Sequence, residues 1–75
     1  GIDDIPLNEI KALMKDLLEL HGKISLDDLN HLIANMFGVR NLVASIEDKI
    51  INKVKEVVNK SVDFTMDDEF IKLRH

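Results

Sequence analysis

Val62-Asp63-Phe64-Thr65-Met66-Asp67-Asp68-Glu69-Phe70-Ile71-Lys72-Leu73 is the stretch that decides the fold of this chain. Val62, Phe64 and Met66 alternate with Asp63 and Thr65, and Phe70, Ile71 and Leu73 follow the acidic run Asp67-Asp68-Glu69. A period of two marks a strand with one covered face, and a polar run between two such segments marks a turn. Residues 62–73 therefore predict a β-hairpin. Two strands alone are marginal in water, so this ribbon must lay its apolar side on the chain that precedes it.

Upstream the apolar period is helical. Asp3 and Asp4 stand before Ile5-Pro6, where acids complement the positive end of a helix and Pro is tolerated in the first turn. Ile10, Leu13, Met14, Leu17 and Leu20 then form one stripe that Gly22 ends, since glycine accepts the left-handed conformation that closes a helix. Ser25 is the next start signal, its hydroxyl placed to accept the Asp28 N–H, and Asp28 stands where a capping box usually has Glu or Gln. Leu26, Leu29, Leu32, Ile33, Met36 and Phe37 make the second stripe, with Gly38 as its terminator. Asn41 is placed to cap a third helix whose buried side is Leu42, Val43, Ile46, Ile50, Val54 and Val57.

At 100° per residue Asn41, Ser45, Asp48, Asn52 and Asn59 gather on the opposite side of that helix, with Lys49, Lys55 and Glu56 at the margins. Ile51 and Val58 widen its apolar arc on one flank. The expectation is helices near 6–21, 26–37 and 42–60, a link at Lys23-Ile24 able to pair with the hairpin, and the hairpin itself. That order is an α+β fold, a small winged helix-turn-helix in which a three-helix bundle carries a C-terminal β-hairpin.

A chain of 75 residues holds one domain, 1–75, and needs every apolar stripe for a single core, so a walled catalytic cleft is not expected. Gly1 in place of an initiator Met reads as a cleavage scar, and the domain is expected to come from a longer protein. Apolar residues are 45% of the chain, which suits a folded domain, and the lack of Cys suits a reducing, cytoplasmic compartment. No apolar run approaches the roughly 18 residues of a membrane span, so no membrane partner is expected.

The net charge of −4 is unevenly spread. Residues 1–36 hold seven acids against Lys11, Lys15 and Lys23, and residues 61–75 hold four acids against Lys72 and Arg74. Only 39–60 is positive, with five bases (Arg40, Lys49, Lys53, Lys55, Lys60) against three acids (Glu47, Asp48, Glu56), a surplus of two. That segment could meet nucleic acid through Arg40, Asn41, Ser45, Lys49 and Asn52, whose amides and cations suit base edges and phosphates. Asp48 and the acidic hairpin tip would repel phosphate, so the contact is expected to be weak. The alternative is docking onto a protein through Ile51, Val58 and the hairpin, and the ordinary explanation of the same residues is a core plus a solvated helix face.

Other chemistry has little support. His21 and His31 lack partners at ligand spacing, His75 ends the chain, and Asp67-Asp68-Glu69 lacks the glycine and spaced acids of a calcium loop. Ser25, Ser45 and Ser61 lack a histidine that the pattern would bring near, and Gly22 and Gly38 do not form a phosphate-cradling loop. No catalytic residue, metal, cofactor or small-molecule substrate is expected.

The ordered string Gly22-Lys23-Ile24-Ser25, then Phe37-Gly38-Val39, then Ile46 and Ile50, resembles a known pattern. It is similar to a winged-helix-like domain of unknown function near the C-terminus of large bacterial superfamily I helicase-related proteins with a restriction-endonuclease-like region. The likeness covers about residues 5–73. It implies a helicase-associated, DNA-binding accessory module whose partners are nucleic acid and the remainder of a parent protein. The family pattern has basic and small Thr-Gly-Ser residues entering the third helix, whereas this chain has Asn41-Leu42-Val43-Ala44-Ser45 and then Glu47-Asp48. The departure implies a weaker contact with nucleic acid.

Overall fold

The computed structural model describes residues 1–74; His75 lies outside them. A 3-10 turn, Ile2–Asp4, leads into α1 (Leu7–His21), β1 (Lys23–Ser25), α2 (Leu26–Met36), α3 (Ala44–Lys60), β2 (Phe64–Asp67) and β3 (Phe70–Leu73). The strands form one antiparallel sheet in the order β1-β3-β2. Three helices with a bridging strand and a terminal hairpin make this an α+β winged helix-turn-helix layout.

Local chemistry sets the element ends. α1 closes at Gly22, whose φ of 83° is left-handed and whose N–H donates to the Leu18 carbonyl at 2.8 Å. The Ser25 hydroxyl accepts the Asp28 N–H at 3.1 Å and starts α2 directly from β1, while Leu26 N–H donates to Glu69 O at 2.8 Å. α2 ends in a Schellman motif, in which Val39 N–H donates to Ala34 O and Gly38 N–H to Asn35 O. Between β2 and β3 the two-residue turn Asp68-Glu69 places Asp68 at φ 59°, the one positive-φ residue other than glycine among the described residues.

Register decides which side of the ribbon is covered. Ile24 faces Ile71, Ile71 faces Met66, and Phe64 faces Leu73, so these five share one side of the sheet. Phe64, Ile71 and Ile24 join Ile10, Met14 and Leu18 of α1, Leu29 and Ile33 of α2, and Ile50, Val54 and Val57 of α3 in a single core. Thr65, Asp67, Phe70 and Lys72 share the other side, where the Lys23 ammonium lies 4.8 Å from the Phe70 ring centroid.

The structure corrects several boundaries. Asn41 does not cap α3; Val43 is the N-cap and brings no side-chain bond, and the Asn41 carbonyl instead accepts the Val43 N–H in a turn. The helix therefore begins at Ala44, and Val43 is half exposed rather than part of the buried stripe. Leu20 and Met36 also stand outside the core, at 77% and 64% exposure. The buried line of α1 runs Ile10-Met14-Leu18, which leaves Leu20 at the far margin of its arc. Val62 precedes the hairpin and is 79% exposed, because Asp63 and Ser61 hold the connection in a turn before β2 begins at Phe64. Asp3 and Asp4 do not serve the start of α1; they belong to the N-terminal turn, where Asp4 pairs with the terminal amine.

Candidate nucleic-acid interface

α3 is the longest element, and its buried line Ile50-Val54-Val57 fixes which residues turn outward. Ser45, Asp48, Lys49 and Asn52 recur at steps of three and four and are all exposed, spanning about 10 Å of the helix axis at 1.5 Å per residue. Arg40 and Asn41, in the connection from α2, are exposed as well. Each of Arg40, Asn41, Ser45, Lys49 and Asn52 is thus exposed, the first two in the connection before α3 and the other three in its amino-terminal half. Glu47, half buried in the first turn, and exposed Asp48 add negative charge there.

The bases of the 39–60 segment are largely engaged within the chain. Lys49 Nζ lies 2.8 Å from Asp3 Oδ2, and Lys53 Nζ donates to the Ile5 carbonyl at 3.0 Å. Lys60 pairs with Glu56 at 3.0 Å. Arg40 and Lys55 have no ion pair among the described residues. The hydrogen bond from Lys49, with its charge and that of Lys53, holds the Asp3 carboxyl below the ordinary carboxylate range.

Asp3 reaches Lys49 because the N-terminal turn lies along α3. Ile2 and Ile5 pack against the core, and a groove between this turn and α3 is bordered by Phe37, Val39 and Ile46. A second, polar groove runs further along α3 and is lined by Asp3, Lys49, Asn52, Lys53, Glu56 and Lys60, among others. The Asp3–Lys49 contact joins residues 46 apart, so no local pattern announces it.

The remaining features are less suited to phosphate. The wing tip Asp67-Asp68-Glu69 is exposed and acidic. Of the two residues proposed for docking, Val58 packs on the core, while Ile51 is half buried outside it. His31 borders a groove with His21, Lys23, Asp28 and Phe70. The Asp27 carbonyl accepts from its ring at 2.8 Å, which holds the imidazole above its ordinary value, aided by the charges of Asp27, Glu47 and Asp28. No three metal-ligating side chains are grouped among the described residues, and no helix there is long and apolar enough to cross a membrane.

Asn30 is the residue that the apolar pattern of α2 did not flag. It is fully buried, and neither its Oδ1 nor its Nδ2 has a hydrogen-bond partner in the protein. The signal was present in its neighbours: Leu26, Ile33 and Ala34 at helical spacing from Asn30 place it inside the stripe. Compared with protein-family models, curated proteins and solved structures, the chain matches none of them.

Proposed function

We propose that this chain is a non-catalytic accessory module of a larger helicase-like or nucleic-acid-processing protein, and that it contacts nucleic acid weakly through α3. The observation that carries this proposal is the exposure of Ser45, Lys49 and Asn52 on one face of α3 and of Arg40 and Asn41 in the connection that leads into it. Arg40 and Lys49 supply cations for phosphates, and Asn41, Ser45 and Asn52 supply hydrogen-bonding groups for phosphates or base edges. The wing takes no part, since its tip would set three carboxylates against phosphate.

Few cations imply a shallow salt dependence. In a salt titration, two cations give an expected log–log slope of affinity of about −1.8 on duplex and about −1.4 on single-stranded DNA, and Arg40→Ala should make it shallower by roughly 0.7–0.9. No binding at low salt would contradict the proposal. It would favour the second reading, docking onto a protein through α3 and the hairpin, which Ile51 supports because it is half buried yet outside the core.

A further inference from the structure

We infer that the N-terminal turn regulates the α3 face from within the chain, with the Asp3 carboxylate occupying the position on Lys49 that a phosphate would take. This rests on the proposed contact between α3 and nucleic acid, and adds to it a built-in competitor.

The geometry has three parts. Ile2 and Ile5 pack against the core, which fixes the turn beside α3. Lys53 Nζ donates to the Ile5 carbonyl at 3.0 Å, tying the end of the turn to the same helix. Between those anchors Asp3 Oδ2 meets Lys49 Nζ at 2.8 Å, at the head of the groove that continues past Asn52 and Lys60. A carboxylate and a phosphodiester present the same feature to an ammonium, an anionic oxygen at hydrogen-bond distance. While Asp3 holds Lys49 it occupies one of the three ammonium N–H groups and offsets the charge that would attract a phosphate.

The contact is also weak enough to exchange. The side chains of Asp3 and Lys49 are 68% and 48% exposed, so water screens the pair and the attraction is modest. A polyanion bringing several phosphates can displace it, whereas a single free anion at low concentration cannot. Asp4 provides an internal comparison: it carries the same charge one residue away but pairs with the terminal amine instead of α3.

The test compares Asp3→Asn and Asp4→Asn with the wild-type chain, using a fluorescent single-stranded oligonucleotide and a duplex across a salt series. Bound DNA displaces Asp3 in the wild-type chain, so Asp3→Asn removes a competitor without changing the number of phosphates neutralised: affinity should rise, by up to roughly tenfold near 50 mM salt, with the log–log slope little changed. Asp4→Asn, which frees the terminal amine but no cation of α3, should give a smaller gain in affinity, and Asp3→Asn combined with Lys49→Gln should lose the gain. Thermal melting of each variant establishes that it is folded, with Asp3→Ser as a second substitution at the same site. Equal gains from Asp3→Asn and Asp4→Asn, or none from Asp3→Asn while the wild-type chain binds, would overturn the competitor and leave the α3 contact standing. Failure of the wild-type chain and of every variant to bind would overturn both.

Discussion

At the scale of single residues, Asn30 and Ser25 make opposite contributions to the same helix. The Asn30 amide is enclosed without a protein partner, so its removal from water is uncompensated by the fold. Asn30→Leu, which keeps the branched shape and removes the polar atoms, should raise the unfolding free energy by about 1–2 kcal/mol in urea titration. A loss of stability would mean that the amide makes a bond that holds α2 in place. Ser25→Ala removes the acceptor of the Asp28 N–H and should cost about 1 kcal/mol. Asp63 acts between elements: its carboxylate lies 3.0 Å from Lys15 and 3.3 Å from Lys11, and these two lysines, Lys15 foremost, hold it below the ordinary carboxylate range. A folded-state value below the unfolded one stabilises the protein above the ordinary value and ceases to do so as pH falls through the lowered one. The wild-type advantage in melting temperature over Asp63→Asn should therefore be present at about pH 5 and close below about pH 4. An advantage constant across that range would contradict the ion pair.

At the scale of elements, the hairpin is both lid and strain site. Phe64 is 1% exposed and places its ring in the core, so Phe64→Ala should cost about 3–5 kcal/mol, enough to unfold much of a domain this small. Asp68 adopts φ 59°, which glycine takes freely and a branched side chain resists. Asp68→Gly should gain a few tenths to about 1 kcal/mol and Asp68→Val should lose about 1 kcal/mol or more, both read from denaturant midpoints. The helices and the hairpin were legible because periodicity and the stops at Gly22 and Gly38 are local signals, whereas the pairing of Lys23-Ile24 with the hairpin follows only from the winged-helix layout. The start of α3 was not, since Asn41 offers a capping side chain but the chain bends once more and begins its helix at Ala44. Leu20, Met36 and Val62 continue a period that marks a covered face, yet each stands where its element is ending or has not begun, with its side chain largely exposed. Ser45, Lys49 and Asn52 could be placed from the helical wheel, whereas Arg40 and Asn41 lie in the connection before α3 and Asp3 above Lys49 depends on how a distant turn packs.

At the scale of the molecule, acidic ends flank a segment whose surplus of two positive charges is partly masked by Asp3 and by the Ile5 carbonyl. Such a body repels polyanions at a distance and meets them through one narrow helix face, so binding should be weak and strongly local, with a shallow dependence on salt. Amide chemical-shift mapping at low salt, with a short DNA duplex added to the isotopically labelled chain, tests that arrangement most directly. The account predicts graded shifts at Arg40, Asn41, Ser45, Lys49 and Asn52, accompanied by Asp3, with Asp67, Asp68 and Glu69 unmoved. Shifts concentrated on the hairpin or on the edge of β1, or no shifts at all, would contradict it.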